Sequence, residues 1–313
     1  MLGRSKKVEA QAKNVADDYS QHSSVRGRSL SRDARERFLR NKASIVCVIV
    51  IALIMLFVFF GPTFSKWNNE EIDWTALGDI AVLGAPSVES GHFFGTDALG
   101  RDLYSRVIQA TGTSLLVGFV GAAMALIVGT GWGVIAGYYG GRVDAVMMRI
   151  VDILYSVPAT LFIILILVVA GRSMITLFIA LGAVSWLTMS HIVRGQTLTL
   201  KNREFVEAAR AGGVSETMII FKHILPNLFG VVIVYASLLI PEMIYAESFI
   251  SFLGLGISEP HTSLGALISE GAGTMSYGTL WQLLFPLTFY VAIMFAMFFI
   301  GDGLRDAFDP KDR

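Results

Sequence analysis

Six long apolar stretches dominate the 313-residue sequence and constrain its fold more than any other feature. An α-helix needs about 20 apolar residues to cross the roughly 30 Å hydrocarbon core of a bilayer. With 54% apolar and 16% charged residues, the chain also has too little polar surface for a soluble fold. We therefore predict an all-α membrane protein with six transmembrane helices, at residues 43–64, about 113–138, 153–171, 173–193, 228–250 and 283–300.

The distribution of Lys and Arg predicts how these spans are oriented. With the amino terminus inside, 21 of the 25 basic residues fall in cytoplasmic segments and four fall outside. Because basic residues favour the cytoplasmic side, both termini are predicted to be cytoplasmic. This topology divides the chain into a cytoplasmic segment 1–42, a first span 43–64, an extracytoplasmic loop 65–112, a five-helix core 113–303 and a cytoplasmic tail 304–313.

The hydrophilic amino-terminal segment is predicted to have two parts. Residues 1–27 are predicted to be disordered. Residues 30–42 are predicted to form an amphipathic helix on the cytoplasmic membrane surface, because Leu30, Ala34 and Phe38 recur at four-residue spacing. A solvated charged linker is the alternative interpretation of this stretch.

Small residues recur every four positions along the second apolar stretch. In lipid, such a stripe lets two helix backbones approach closely, so it predicts a packing surface in a helix bundle. Receptors, channels and transporters all use such stripes, so the stripe does not indicate a function. Its members are Gly121, Ala125, Gly129, Gly133, Gly137 and Gly141.

The segment 194–227, between the fourth and fifth stretches, is predicted to form two short helices joined by a turn. The first, about 203–211, would end at Gly212 and Gly213, and the second would begin after Ser215 and end before Pro226. Such a hairpin suits docking into a groove on a partner, and a surface loop that covers its own helix ends is the alternative. The first helix would expose an apolar patch rimmed by charges, formed by Phe205, Val206 and Ala209 with Arg203, Glu204, Glu207 and Arg210.

This segment resembles the EAA loop of ABC-importer permeases. Glu207-Ala208-Ala209 is followed by Gly213 and then by Leu225-Pro226 at the spacing of that family. His223 departs from the general pattern, which has Ile there, but His-x-Leu-Pro-Asn is similar to the peptide and nickel branch. The resemblance implies that the loop inserts into a cleft of an ATPase subunit, through Arg203, Phe205, Glu207, Ala208, Ala209, Gly213, His223, Leu225 and Pro226.

Three further segments resemble the same branch. Residues 95–102 are similar to its GTDxxGRD signature, 252–256 with Pro260 and Gly265 to its segment after span five, and 301–306 with 309–311 to its carboxyl end. The resemblance covers nearly the whole chain from about Ser29, and it is strongest to C-type membrane subunits of oligopeptide importers. It implies a type I ABC-importer permease fold in a bacterial inner membrane. The implied partners are a companion permease, two ATPase subunits and an extracytoplasmic peptide-binding protein, and import of dipeptides, murein peptides or nickel stays an alternative.

Several charged residues near the spans have two interpretations each. Glu242 and Glu247 either line the substrate path or pair with an Arg or Lys. In the interpretation we favour, they lie at the outer interface because the helix ends near Pro241. A second group is predicted to form a short helix with i,i+4 pairing of Asp97 with Arg101 and of Asp102 with Arg106. This run is either a solvated face or a contact for a gate or receptor.

Other classes of protein and site are disfavoured. A formal net charge of zero argues against a nucleic-acid partner, and the single Cys47 provides neither a disulfide nor enough metal ligands. His191 and His223 have no carboxylate-histidine constellation nearby, so we predict interface hydrogen bonding and no metal or cofactor. No G-x-x-x-x-G-K-[ST] phosphate loop occurs, so the chain is not expected to be an ATPase or another enzyme. An ion-coupled secondary transporter would need charges within the spans and an internal repeat, but the spans are almost free of charge and no convincing repeat is seen. An intramembrane hydrolase would need a catalytic motif within the spans, and none occurs.

Overall fold

The computed structural model of the protein describes residues 30–308. The predicted disorder of residues 1–27 and the motif at 309–311 lie outside this range. Within it, ten helices have eight or more residues: α1 (Leu30–Arg40), α2 (Lys42–Phe60), α3 (Leu103–Tyr139), α4 (Gly141–Tyr155), α5 (Ala159–Ala170), α6 (Met174–Leu200), α7 (Glu204–Ala211), α8 (Leu225–Phe252), α9 (Leu264–Thr274) and α10 (Trp281–Phe308).

Five helical segments are long and apolar enough to cross a membrane, and a sixth crossing is formed if the bent pair α4 and α5 counts as one span. Residues 30–308 contain no β-strand, only two isolated β-bridges. The prediction of an all-α membrane protein is therefore confirmed. The five segments are Lys42–Phe64, Leu103–Tyr139, Met174–Leu200, Glu216–Phe252 and Trp281–Phe308.

The third predicted span, 153–171, is not one helix. The chain breaks at residues 156–158, and α4 and α5 meet there at an angle of 80°. Pro158 has no N–H for the helix ladder, and it disfavours the helical conformation for Val157. The 12 residues of α5 extend only about 18 Å, so this helix alone cannot cross the hydrocarbon core.

Several helices extend beyond their apolar stretches. α3 begins at Leu103, because the Asp102 side chain accepts a hydrogen bond from the Ser105 backbone N–H at 2.8 Å. Residues 103–112 are thus helical rather than loop, and α10 continues through residues 304–308 of the predicted tail. α6 likewise continues to Leu200 and includes the first part of segment 194–227. Helix ends follow capping groups rather than the limits of hydrophobicity.

The predicted amphipathic helix at 30–42 is divided by Asn41. The side-chain oxygen of Asn41 accepts a hydrogen bond from the Ser44 backbone N–H at 3.2 Å and caps α2, so α1 ends at Arg40. Ala34 in α1 is buried, and α1 packs against α10. Residues 30–40 are therefore a docked helix and not a solvated linker.

The central contact of the bundle joins α3 to α6 and α8. Four of the glycines predicted to pack lie where no Cβ would fit. At Gly121 and Gly129, a Cβ would lie 2.9 Å from Met243 Cγ and 2.6 Å from Met189 Cβ, respectively. At Gly133 and Gly137, it would lie 2.6 Å from the Ser190 carbonyl oxygen and 2.8 Å from the Arg194 carbonyl oxygen. The prediction is wrong for Gly141, which begins α4 at a φ of +52° with no atom within 4 Å of a Cβ. The stripe ends there because the chain turns at Gly140, where φ is +66°.

Candidate functional site

The hairpin at 203–227 begins with α7 and a glycine turn. Gly213 has a φ of +78°, a left-handed conformation that few other residues adopt. The Val214 N–H donates to the Ala209 carbonyl at 3.1 Å, which completes the terminal turn of α7. Ser215 then caps the next helical turn by accepting from the Met218 N–H at 3.4 Å. The turn therefore has the local chemistry that the sequence predicts.

The second part of the hairpin continues into the next span. One α-helical turn, Glu216–Ile219, and one π-helical turn, Ile220–Ile224, run directly into α8. The expectation that this helix ends before Pro226 is wrong. Pro226 lies in the first turn of α8, where a missing N–H is tolerated, and the wider π turn precedes it.

One side of the hairpin is buried and the other is exposed. Val206, which was predicted to be exposed, is fully buried and packs in a core cluster with Ile219 and Ile224. Phe205 is 40% exposed, as Met218 and Phe221 also are, at 43% and 64%. The exposed side of α7 is formed by Glu204, Phe205, Glu207, Ala208 and Arg210, beside Arg203. The hairpin thus combines an apolar anchor with an exposed face of mixed character.

Polar contacts tie the hairpin to the carboxyl end of α3. The buried Tyr138 hydroxyl donates to the Glu216 carboxylate, and Arg210 donates to the same hydroxyl at 3.4 Å. Lys201 Nζ donates to the Gly137 and Tyr138 carbonyls, at 2.8 and 3.3 Å. A cation at the carboxyl end of a helix is favourable, because the last carbonyls lack helical partners. The hairpin is therefore hydrogen-bonded directly to α3, through Tyr138.

An ion pair joins α4 and α6. Arg194 donates to both carboxylate oxygens of Asp144, at 2.5 and 2.6 Å, in a two-point contact. Sequence reasoning did not identify this pair. The available signal was Asp144 itself, an acidic residue in the amphipathic helix α4, but its partner is 50 residues away in the chain.

The charged run at 97–106 is not the predicted short helix. Residues 96–102 form a turn that an isolated bridge between Thr96 and Asp102 closes. Gly95 and Gly100 have φ values of +78° and +75°, and such left-handed positions interrupt a helix. Asp97 accepts hydrogen bonds from the Leu99 and Arg101 backbone N–H groups, at 2.8 and 2.9 Å, which stabilises the turn.

The ion pairs of this run join two distant parts of the chain. Arg101 pairs with Asp97 at 2.7 Å and with Glu259 at 2.7 Å. Arg106 pairs with Asp97 and, at 2.8 Å, with Glu270 in α9, and not with Asp102 as predicted. The run is therefore a partly buried cluster between α3 and the 253–280 segment rather than a solvated face.

Replacement of Arg106 by glutamine is expected to lower the free energy of unfolding by about 3 kcal/mol. The Arg106 side chain is 4% exposed, so its loss leaves the buried carboxylate of Asp97 with less compensating charge. Thermal unfolding of the purified chain in detergent measures the effect. Arg142→Gln is the matched control, because Arg142 is exposed and makes no ion pair within residues 30–308. Equal melting temperatures for the two variants would contradict the structural role of Arg106.

A buried histidine stabilises the same region. His92 is fully buried, with Nδ1 2.9 Å from Asp102 and Nε2 3.3 Å from Asp73, and its ring stacks on Trp67. The hydrogen bond from the Thr75 hydroxyl lowers the pKa of Asp73 below its usual value. The sequence analysis missed His92, because Asp102 and Asp73 lie 10 and 19 residues away and meet the histidine only when the loop is folded.

The two glutamates of α8 occupy different environments. α8 continues through Pro241, so the expectation that the helix ends there and leaves both residues at the outer interface is wrong. Glu247 is fully buried and accepts hydrogen bonds from Ser251 at 2.6 Å and Ser114 at 3.3 Å. Glu242 is exposed and lines a cavity of about 260 Å³. The five-residue spacing separates their directions, as helix geometry requires.

His191 and His223, the two histidines considered from the sequence, lie at helix contacts. His191 Nε2 is 3.6 Å from Asp152, and the His223 ring is 6.4 Å from the Phe205 ring. In the described part of the chain, no three His, Cys, Asp or Glu residues come together as a metal site.

Two family models match the sequence. Residues 129–313 match the binding-protein-dependent transport system inner membrane component, and residues 29–84 match the N-terminal TM domain of oligopeptide transport permease C. The first of these matches covers more than half of the chain. It includes the 203–227 hairpin and the carboxyl-terminal part of α3.

Named relatives align over almost the full length. The oligopeptide transport system permease protein OppC of Escherichia coli K12 is 51% identical, over 95% of this chain and 96% of its own. OppC of Bacillus subtilis is 40% identical over 97% of both chains, and the dipeptide transport system permease protein DppC of B. subtilis is 38% identical over 91% of this chain and 87% of its own.

A solved structure has the same fold. The inward-facing MetNI methionine ABC transporter aligns with 64% of this chain and 95% of its own, with a TM-score of 0.53 and 17% identity. At that identity the likeness concerns the fold alone. It confirms the predicted type I ABC-importer permease architecture.

Proposed function

This chain belongs to the family of binding-protein-dependent transport system inner membrane components, and we propose that it carries oligopeptides through a bacterial inner membrane at the expense of ATP hydrolysed by partner subunits. Membership makes it a multi-pass transport permease of the ABC-importer class and not an enzyme. The substrate class rests on one observation above the others, 51% identity over nearly the whole length of an oligopeptide permease subunit.

The 203–227 hairpin is proposed to be the docking element for an ATPase subunit. Its anchor residue Val206 is fully buried, whereas Phe205 and Glu207 remain exposed, and the Glu207 carboxylate makes no hydrogen bond or ion pair within residues 30–308. An exposed amphipathic helix on a rigid base is suited to insertion into a groove. The polar contacts of Tyr138 with Glu216 and Arg210 then pass a displacement of the hairpin to α3.

α3 is proposed to carry that displacement across the membrane. Its 37 residues extend about 55 Å, and Tyr138 near one end and Arg106 near the other both take part in polar clusters. A single rigid helix therefore connects the hairpin with the cluster that holds the 253–280 segment. Alternating access would follow from rocking of this helix with its neighbours.

Orientation and partners follow from the same proposal. The hairpin would face the cytoplasm, as the basic residues predict, with both termini on that side. The folded loop 61–102 and the 253–280 segment would then face outward, towards a peptide-binding protein. A companion permease would complete the translocation path, and each of two ATPase subunits would hold one coupling hairpin.

Uptake in proteoliposomes tests the proposed function. The chain is reconstituted with its companion permease, ATPases and binding protein, and labelled di-, tri- and pentapeptides are supplied. We expect ATP-dependent accumulation of the longer peptides and no accumulation without ATP. Accumulation of dipeptides or nickel in their place would favour the alternative substrates of the same branch. Uptake that needs an ion gradient and no ATP would contradict the proposal.

A further inference from the structure

The cavity beside Glu242 is a mainly apolar pocket with one carboxylate, among the helices that are apolar enough to span a membrane. It has a volume of about 260 Å³ and lies between the break of α4 and α5 on one side and α6 and α8 on the other. Glu242 is the single carboxylate among its lining residues, and the other polar side chains are Tyr155, Ser185 and Thr188. The rest of the lining is mainly apolar, as is usual for a ligand site.

The Glu242 carboxylate has no protein partner in this site. Within residues 30–308 it makes no hydrogen bond and no ion pair, in contrast to Glu247, which several serine hydroxyls surround. A carboxylate at this depth is costly unless it meets water, a cation or a polar ligand. The carboxylate is therefore available to a cation or a polar ligand that enters the cavity.

The broken span lies against the same site. Tyr155, Val157 and Pro158 line the cavity at the break. The carbonyl of Val157 accepts no hydrogen bond within the described residues. Irregular backbone at membrane depth is tolerated where it lines a water-filled cavity, and helix ends of this kind often hold ions or substrates. An unpaired backbone carbonyl at the break and a carboxylate among the lining residues together favour a cation or a donor group.

The face of α8 that carries Glu242 is not a face for lipid. Tyr235, Tyr245 and Phe249 are exposed on it at seven, three and seven residues from Glu242, so all four side chains lie on one side of the helix. A face with a carboxylate between aromatic rings is suited to an aqueous path, where the rings contact apolar and cationic groups.

From these observations we propose that Glu242 and the surrounding cavity form a cation site in the translocation path that binds the α-ammonium group of the passing peptide. This inference rests on the proposed peptide transport. The α-ammonium group is the one cation that every peptide with a free amino terminus carries, whatever its sequence. A single carboxylate among hydroxyls and apolar side chains can therefore hold peptides of different sequence.

Comparison of a peptide with its des-amino analogue tests the site. ATP-driven uptake of a lysine-free tripeptide and of the analogue is measured in the reconstituted importer, with both supplied above saturation of the binding protein. We expect Glu242→Gln to lower the preference for the amino form at least about fivefold, because a hydrogen-bonded charge contact is lost. Glu242→Asp should retain most of it. Any preference of the binding protein is common to all variants and cancels in the comparison.

Glu89→Gln is the matched control, because Glu89 is an exposed carboxylate in the folded loop 61–102. It should keep the wild-type preference. An unchanged preference in Glu242→Gln would overturn the proposal, as would equal uptake of both peptides by the wild type. If the wild type excludes the analogue completely, its entry through Glu242→Gln supports the site and its continued exclusion overturns it. Loss of the companion permease from purified Glu242→Gln would overturn the proposal by showing that the carboxylate pairs with that subunit.

Thiol labelling gives an independent measurement of the location. Cys47 is the single native cysteine, so Cys47→Ser with Glu242→Cys places one thiol in the cavity. Delivered peptide should slow its modification, whereas a thiol introduced by Asp306→Cys, at an exposed position near the end of α10, should react at an unchanged rate. Absence of protection would exclude the cavity from the path. Failure of the wild type to transport peptides at all would count against the proposed function rather than against this site.

Discussion

Gly133→Leu is expected to prevent α3 from packing against α6 and to remove most of the folded protein. A Cβ at Gly133 would lie 2.6 Å from the Ser190 carbonyl oxygen and 2.9 Å from the Arg194 nitrogen, so the obstacle is backbone and cannot rotate away. The two helices would have to separate along their length. The expected loss is roughly 3 kcal/mol or more. Size-exclusion chromatography of a fluorescent fusion and thermal melting in detergent measure it.

Gly131→Leu is the matched control for this prediction. Gly131 lies two residues earlier on the same helix and is exposed, and no atom lies within 4 Å of the position that a Cβ would take there. Both variants add the same apolar side chain and remove the same backbone freedom. The Gly131 variant should therefore elute and melt like the wild type. Similar behaviour of the two variants would show that the glycine stripe is not the contact that holds α3 against α6.

Glu207→Arg is expected to abolish ATP-driven uptake while the chain remains folded. Glu207 is exposed at the proposed docking face and its carboxylate makes no hydrogen bond or ion pair within residues 30–308, so its replacement breaks no such side-chain contact. Charge reversal on a face already rimmed by Arg203 and Arg210 costs several kcal/mol if that face meets a complementary groove. Co-purification of the ATPase subunits and peptide uptake should both fall at least about tenfold.

Glu89→Arg is the control for charge reversal. It makes the same change on an exposed carboxylate in the folded loop 61–102, where no ATPase contact is proposed. Assembly with the ATPases should be unaffected, and both variants should melt like the wild type. Normal uptake by Glu207→Arg would contradict the docking role of the hairpin.

Local chemistry explains which parts of the hairpin were predictable. The left-handed Gly213 and the capping Ser215 act within a few residues of themselves, so their roles follow from the sequence alone. The burial of Val206 does not, because the core cluster to which it belongs also contains residues of α3, α6, the π turn and α8. Phe205 and Val206 are adjacent apolar residues in α7, and only the packed structure shows that Val206 is the buried anchor.

The charged residues show the same division more strongly. The pair of Asp97 with Arg101 lies four positions apart and was predicted, although in a turn rather than in a helix. Arg106 was assigned to Asp102, its neighbour in the chain, whereas its partner Glu270 lies 164 residues away. Glu247 was placed at an interface, since nothing in its own segment indicates the hydroxyl of Ser114. Such contacts exist only once the helices have assembled.

Residue patterns alone were sufficient to predict the membrane environment, the helical class and the family of this protein. The free energy of membrane insertion depends on apolar residues within one segment, and a motif such as Glu-Ala-Ala followed by glycine is recognised from neighbouring residues. Only the packed structure shows where spans break, which glycines lie against a backbone and which of two glutamates remains unpaired beside a cavity. These depend on atoms brought together from distant segments, because packing and ion pairing act over a few ångströms of space rather than along the chain.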